Sequence, residues 1–169
     1  SGLISVVVGS VTGAGSNTGG GSGDESHDAL RDAFVLGAER TGSQDVSFFV
    51  EQLTELAVRA LSPGVNDPGT ARMCLDRLEQ TLCRLVAREW PSPLRFDDAG
   101  ALRVIAEPVP FEQIAHEAFA EIGRHGRHNV EVTCHVLRAI ASVSSCASRA
   151  GDRRALAHLA TTTVQRALE

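Results

Sequence analysis

Five side chains able to bind metal or move protons crowd one stretch of the sequence: His116, His125, His128, Cys134 and His135. Zinc accepts imidazole and thiolate alike, but this spacing runs across a helix break. Adjacent residues such as Cys134 and His135 also diverge by about 100° on a helix. The group therefore reads as solvated or core histidines, and neither a metal nor any other cofactor is expected. Cys74, Cys83, Cys134 and Cys146 sit inside helical patterns without the paired spacing of a metal knuckle, so they read as small, buried, reduced apolar residues. A nucleophilic cysteine would need a base and a lowered thiol pKa, which a mid-helix apolar position opposes. No catalytic residue is assigned.

A second group surrounds two helix junctions. The segment ERTGSQD supplies Arg40, Thr41, Gln44 and Asp45, and SPGVNDP with the residues after it supplies Ser62, Asn66, Asp67 and Thr70. If both junctions meet at one end of a bundle, these eight side chains form a polar ligand site or a hydrolytic one. That chemistry requires Asp45 or Asp67 in a pocket with a perturbed pKa. The plainer expectation is that Asp45 and Asp67 cap helices while Arg40 bonds terminal carbonyls.

The elements that would hold these groups are mostly helical. Leu30, Phe34 and Val35 share a face, which predicts a helix over about 26–41. Val46, Phe49, Val50, Leu53, Leu56, Ala57, Ala60 and Leu61 form the next apolar stripe, with Glu51, Glu55 and Arg59 on its solvated side. Pro63 and Gly64 end that helix, and Pro68 opens another, which runs to about Ala87 and turns Cys74, Leu75, Leu78, Leu82, Leu85 and Val86 inward. Two extended stretches about DDAG predict a β-hairpin within residues 93–108. Phe111 starts a helix with Ile114, Ala115, Ala118, Phe119 and Ile122 inward, and Gly123 and Gly126 mark its exit. The helix over about 128–149 is expected to bury Val130, Thr133, Cys134, Leu137, Ile140, Ala141 and Ser144. Asp152 is expected to cap a last helix carrying Leu156, Leu159, Ala160, Val164 and Ala167. The predicted fold class is mainly α: an antiparallel bundle of about six helices with a small hairpin.

The N-terminus differs in kind from this body. Residues 1–11 hold the β-branched run LISVVVGSV, and residues 12–23 are a tract of glycine and small polar residues that reads as an engineered linker. The helical domain then occupies residues 24–169. Leu3, Ile4, Val6, Val7 and Val8 are the candidate bound peptide, either a foreign ligand fused to the domain or the chain's own strand completing the hairpin sheet. The tract has a root-mean-square span of about 20 Å and holds its peptide at roughly millimolar local concentration.

With 43% hydrophobic and 22% charged residues the body has a globular composition. A net charge of -5 offers no broad attraction to nucleic acid. Every basic residue is Arg, which together with abundant Ala, Gly and Val points to a GC-rich bacterial genome. No apolar run approaches the roughly 20 residues needed to span a bilayer, and no signal peptide is evident.

The strings LRDAFVLGAERTGSQDVSFFVEQLTELAVRALSPGVNDPGTARMCLDRL and LRVIAEPVPFEQIAHEAFAEIGRHG resemble a bacterial family of predicted membrane proteins, domain of unknown function 2254. The most specific piece is RALSPGVNDPGTA followed by CLDRL, and the likeness covers about residues 24–169. Gly69 stands where the family motif usually carries a bulkier residue. The resemblance implies the soluble portion of an inner-membrane protein, on the cytoplasmic side, with contact to the membrane only through other segments of the parent. No reaction comes with it. The expected role is a non-enzymatic binding or assembly domain that takes an extended apolar peptide or its own strand, with a homo-oligomer as a further partner. The alternative is a ligand-sensing or hydrolytic site at the two junctions.

Overall fold

A computed structural model describes residues 46–96 and 99–169. The expected strand in residues 1–11, the Gly/Ser tract and the helix over 26–41 lie outside the described residues. What is described divides into a helical unit, residues 46–91 and 108–169, and a hairpin unit, residues 92–107.

Five helices are described: α1 Val46–Ala60, α2 Pro68–Val86, α3 Phe111–His125, α4 Val130–Cys146 and α5 Ala150–Leu168. Their core is one contiguous cluster of aliphatic side chains and Phe residues. On α1 the buried stripe is Val50, Thr54, Ala57 and Ala60. Val46, Phe49 and Leu56, expected inward, are 41%, 41% and 49% exposed. Among the described helices α1 packs on α2 and α3, a contact face narrower than its apolar arc. Thr54 offsets its burial by donating its hydroxyl to the carbonyls of Glu117 and Ala118 at 3.3 and 3.5 Å.

On α2 Ala71, Cys74, Leu75, Leu78, Leu82 and Val86 are buried at three- and four-residue intervals, whereas Leu85, also expected inward, is half-buried. Helix α3 is the central element, since it touches α1, α2, α4 and α5. It accordingly buries a wide arc that includes Ile114, Ala118, Phe119 and Ile122. Its charges suit its dipole, with Glu112 in the first turn and Arg124 and His125 in the last. Gly123 is not an exit but a buried position inside this helix, and Gly126 is its C-cap.

Helix α4 departs from its expected face. Its buried residues are Val132, Thr133, Val136, Ala139, Ile140 and Val143, whereas Val130 is 77% exposed and Cys134 and Ala141 face solvent. The helix is apolar or small on nearly every side, so its periodicity allows several inward faces and contact with α2, α3 and α5 selects one. The thiols follow suit: Cys74 is buried, Cys83 half-buried, and Cys134 and Cys146 exposed, so burial holds for only part of the expected set. On α5 the N-cap is Arg149 and not Asp152, which lies in the first turn and accepts from Arg149 Nε at 2.6 Å. Thr163 is buried there in place of the expected Val164, its hydroxyl bonded to the Leu159 carbonyl at 2.8 Å.

The bundle is not antiparallel throughout. Arg72 meets Glu131, Asp76 meets His135 and Cys83 meets Ser142, each across a separation of 59 residues. A constant offset means that α2 and α4 run parallel and in register, the chain having reversed through α3 between them.

In the hairpin unit, β1 Leu94–Phe96 and β2 Leu102–Ile105 pair antiparallel, with a register shift between Arg95 and Phe96. Gly100 turns the chain at φ 78°, in the left-handed region that glycine enters without penalty. The expected third strand falls in residues outside those described. Among the described residues, no helix is long and apolar enough to cross a membrane.

Candidate functional site

The segment after α1 builds a tight junction from its own main chain. The Ser62 carbonyl accepts from Val65 N at 3.0 Å and Asn66 N at 2.8 Å, and Asp67 N donates back to the Ala60 carbonyl at 2.7 Å. Asn66 closes the turn at φ 47°, a left-handed conformation that Asn tolerates better than most residues. Asp67 then caps α2: one carboxylate oxygen accepts from Thr70 N at 3.1 Å and the other from the Thr70 hydroxyl at 2.6 Å. Pro68 fills the first turn, where a missing N–H costs nothing. The Thr70 hydroxyl bond, then its amide bond, hold the Asp67 carboxyl below its ordinary range. The side chain lies at an exposed helix end and not in a pocket. A Cβ on Gly69 would stand 3.1 Å from Asp67 Oδ1, so this glycine lets the carboxylate sit close over the first turn.

Ser62, Asn66, Asp67 and Thr70 are thus gathered at one junction. Arg40, Thr41, Gln44 and Asp45 lie outside the described residues, as do Leu3, Ile4, Val6, Val7 and Val8.

Just along α2 a polar groove of about 390 Å³ opens between α2 and α4. Arg72 pairs with Glu131 across it, and one turn further Asp76 Oδ1 meets His135 Nε2 at 2.7 Å. Each helix contributes its two residues at a four-residue interval, so the register that packs the helices also sets Arg72 against Glu131 and the Asp76 carboxylate against the His135 ring. Met73, 70% exposed, and Arg138 complete the rim. A carboxylate–imidazole pair resembles the base half of a nucleophilic relay, but the neighbouring Cys134 points elsewhere around α4. The arrangement ties two helices and presents charge; among the described residues that line it there is no nucleophile. Sequence reasoning missed Arg72, Asp76 and Glu131 because an offset of 59 residues has no local signature.

The other histidines scatter. His125 Nδ1 bonds the Glu121 carbonyl at 2.9 Å and His128 accepts from Arg127 Nε at 3.0 Å. His116 lines a cleft of about 180 Å³ between α3 and α5 with His158, Glu112 and Arg166. Among the described residues no three His, Cys, Asp or Glu side chains gather to hold a metal ion, and every buried side-chain nitrogen or oxygen has a partner.

Uncharacterized proteins of Mycobacterium tuberculosis and Mycobacterium bovis are 34% identical to this chain over 109 residues. The aligned stretch takes up 64% of this chain and 21% of each relative, so the chain spans about a fifth of their length. No solved structure matches it. The model of domain of unknown function 2254, described as predicted membrane proteins, matches residues 5–142, and the chain belongs to that family.

Proposed function

We propose that this chain is a non-enzymatic binding and assembly domain of a bacterial membrane protein, whose hairpin takes an extended apolar segment. The observation that carries this is the hairpin's apolar face. Leu94 pairs with Ile105 and Phe96 with Leu102, and opposed residues project to the same side of a ladder. These four side chains are 39%, 43%, 59% and 41% exposed respectively. Two strands of this length are marginal in water without a further strand or apolar cover. An extended segment with alternating apolar residues supplies both main-chain bonds and side chains, and Ile4, Val6 and Val8 have that alternation. The family match begins at residue 5, ahead of the Gly/Ser tract, which favours the chain's own strand over a foreign peptide. The same segment from a second copy would make the contact an assembly contact. Four free thiols suit the reducing, cytoplasmic side of the membrane.

A hydrolytic or sensing site at the junctions is the weaker reading, because both Asp67 oxygens are engaged by Thr70. Hydrogen exchange on the full chain tests the proposal. Charged replacements at Ile4, Val6 and Val8 together should speed exchange across Leu102–Ile105 by at least tenfold while α2 and α3 keep their protection. Unchanged hairpin exchange would refute it.

A further inference from the structure

Helices α2 and α4 carry a thiol each near their adjoining C-terminal ends. The register that joins Asp76 to His135 also sets Cys83 Sγ 3.9 Å from Ser142 Oγ. Cys146 follows Ser142 by one turn on the same face of α4, and its thiol is near enough to raise that of Cys83. Neither sulfur is in a disulfide; Cys146 is exposed and Cys83 half-buried. Cys74 lies buried in the core, and Cys134 stands on α4 more than three turns from Cys146.

We propose that Cys83 and Cys146 are a redox-active thiol pair that closes to a disulfide between α2 and α4 when it meets a low-molecular-weight disulfide. Exposure makes Cys146 the entry point. Its sulfur attacks one sulfur of the reagent, the reagent's S–S bond breaks, and one small thiol leaves with the proton from Cys146. Cys83 then attacks the Cys146 sulfur of the mixed disulfide, a second small thiol leaves with the proton from Cys83, and the protein disulfide remains. Two protein thiols are oxidised and one small disulfide is reduced to two thiols. The Cys83 thiol is pushed up to about 11, first by burial and then by the neighbouring Cys146 thiol. It is therefore a poor first nucleophile at neutral pH and acts second, at short range, once Cys146 carries the leaving group. The Ser142 hydroxyl favours its thiolate. The helix pairing that sets Cys83 beside Ser142 leaves Cys146 one turn away on the same face, and a disulfide there needs the two Cα atoms within about 7 Å.

The full chain carrying Cys134→Ser, which removes the other exposed thiol, is reduced and treated with glutathione disulfide under native conditions. Remaining thiols are alkylated in denaturant and the protein is weighed and mapped. The expected product retains no glutathione, leaves Cys74 as the residue alkylated, and yields a Cys83–Cys146 cross-linked peptide. Its melting temperature rises by several degrees and falls back with dithiothreitol. Adding Cys83→Ser should trap glutathione on Cys146, and adding Cys146→Ser should leave Cys83 unmodified in the folded chain. Glutathione retained on Cys146 while Cys83 is intact, a cross-link to Cys74, or three surviving thiols would each overturn the proposal.

Discussion

Asp76 and His135, 59 residues apart in sequence, face each other across α2 and α4 at 2.7 Å, one turn below a second bridge between Arg72 and Glu131. The Asp76 side chain is 53% exposed, so water and salt screen the pair. A double-mutant cycle with Asp76→Asn and His135→Gln, measured by urea unfolding, should give a coupling below about 1 kcal/mol that shrinks with added salt. A larger, salt-insensitive value would mean that the groove is desolvated.

The acid limb of stability should report Asp67. Its carboxyl is held below the ordinary 3.8, so ionisation favours the folded state above that value and the gain is lost as pH falls through the lower folded value. Asp67→Ala should lower the melting temperature by a few degrees at neutral pH. The gap should close progressively below pH 3.8, as read by thermal melts across an acid series.

Two glycines at the C-terminal end of α3, Gly123 within it and Gly126 as its C-cap, should respond oppositely. A Cβ at Gly126 would meet Val132 Cγ1 at 2.5 Å and the Ile122 carbonyl at 3.0 Å. Since its φ is an ordinary -84°, the cost is steric, and Gly126→Ala should destabilise by about 1–3 kcal/mol. At Gly123 the nearest atom, Thr163 Cγ2, is 3.5 Å away. There Ala fits and should gain about 0.5–1 kcal/mol in helix propensity. Chemical denaturation of both variants checks the pair.

Arg149 closes the C-terminal end of α2. Its Nη1 donates to the Arg88 carbonyl at 2.9 Å, Nη2 to the Val86 carbonyl at 3.4 Å and Nε to Asp152 at 2.6 Å. The guanidinium also lies over the Trp90 ring at 5.9 Å. Lysine cannot reproduce this fork, so Arg149→Lys should cost about 1–2 kcal/mol. Trp90 is the sole tryptophan, and its emission should shift toward that of solvated indole.

Some of this was open to reading from the residues alone. Cys74, Leu75, Leu78, Leu82 and Val86, and the arc from Ile114 to Ile122, are buried as their spacing implies, because mostly polar residues fill the other faces and leave one arc to bury. The Asp67 cap was equally plain, with Pro68 behind it and Thr70 at the right distance. On α4 that contrast fails: Val130, Cys134 and Ala141 are apolar or small yet exposed, and only the neighbouring helices distinguish one face from the next. Gly123 was misread for a related reason, since a glycine buried inside a helix carries the same letter as one that ends it.

The sequence by itself determined where the described helices run, how α2 begins and the family to which the chain belongs, since periodicity, caps and motif strings act over a few residues. Only the tertiary structure decided that α2 and α4 lie parallel in register, and with that which side chains pair, which thiols face solvent and that Cys83 meets Ser142. Those relations span dozens of residues and arise from packing around α3, and no local pattern encodes a partner that the chain reaches only after reversing direction.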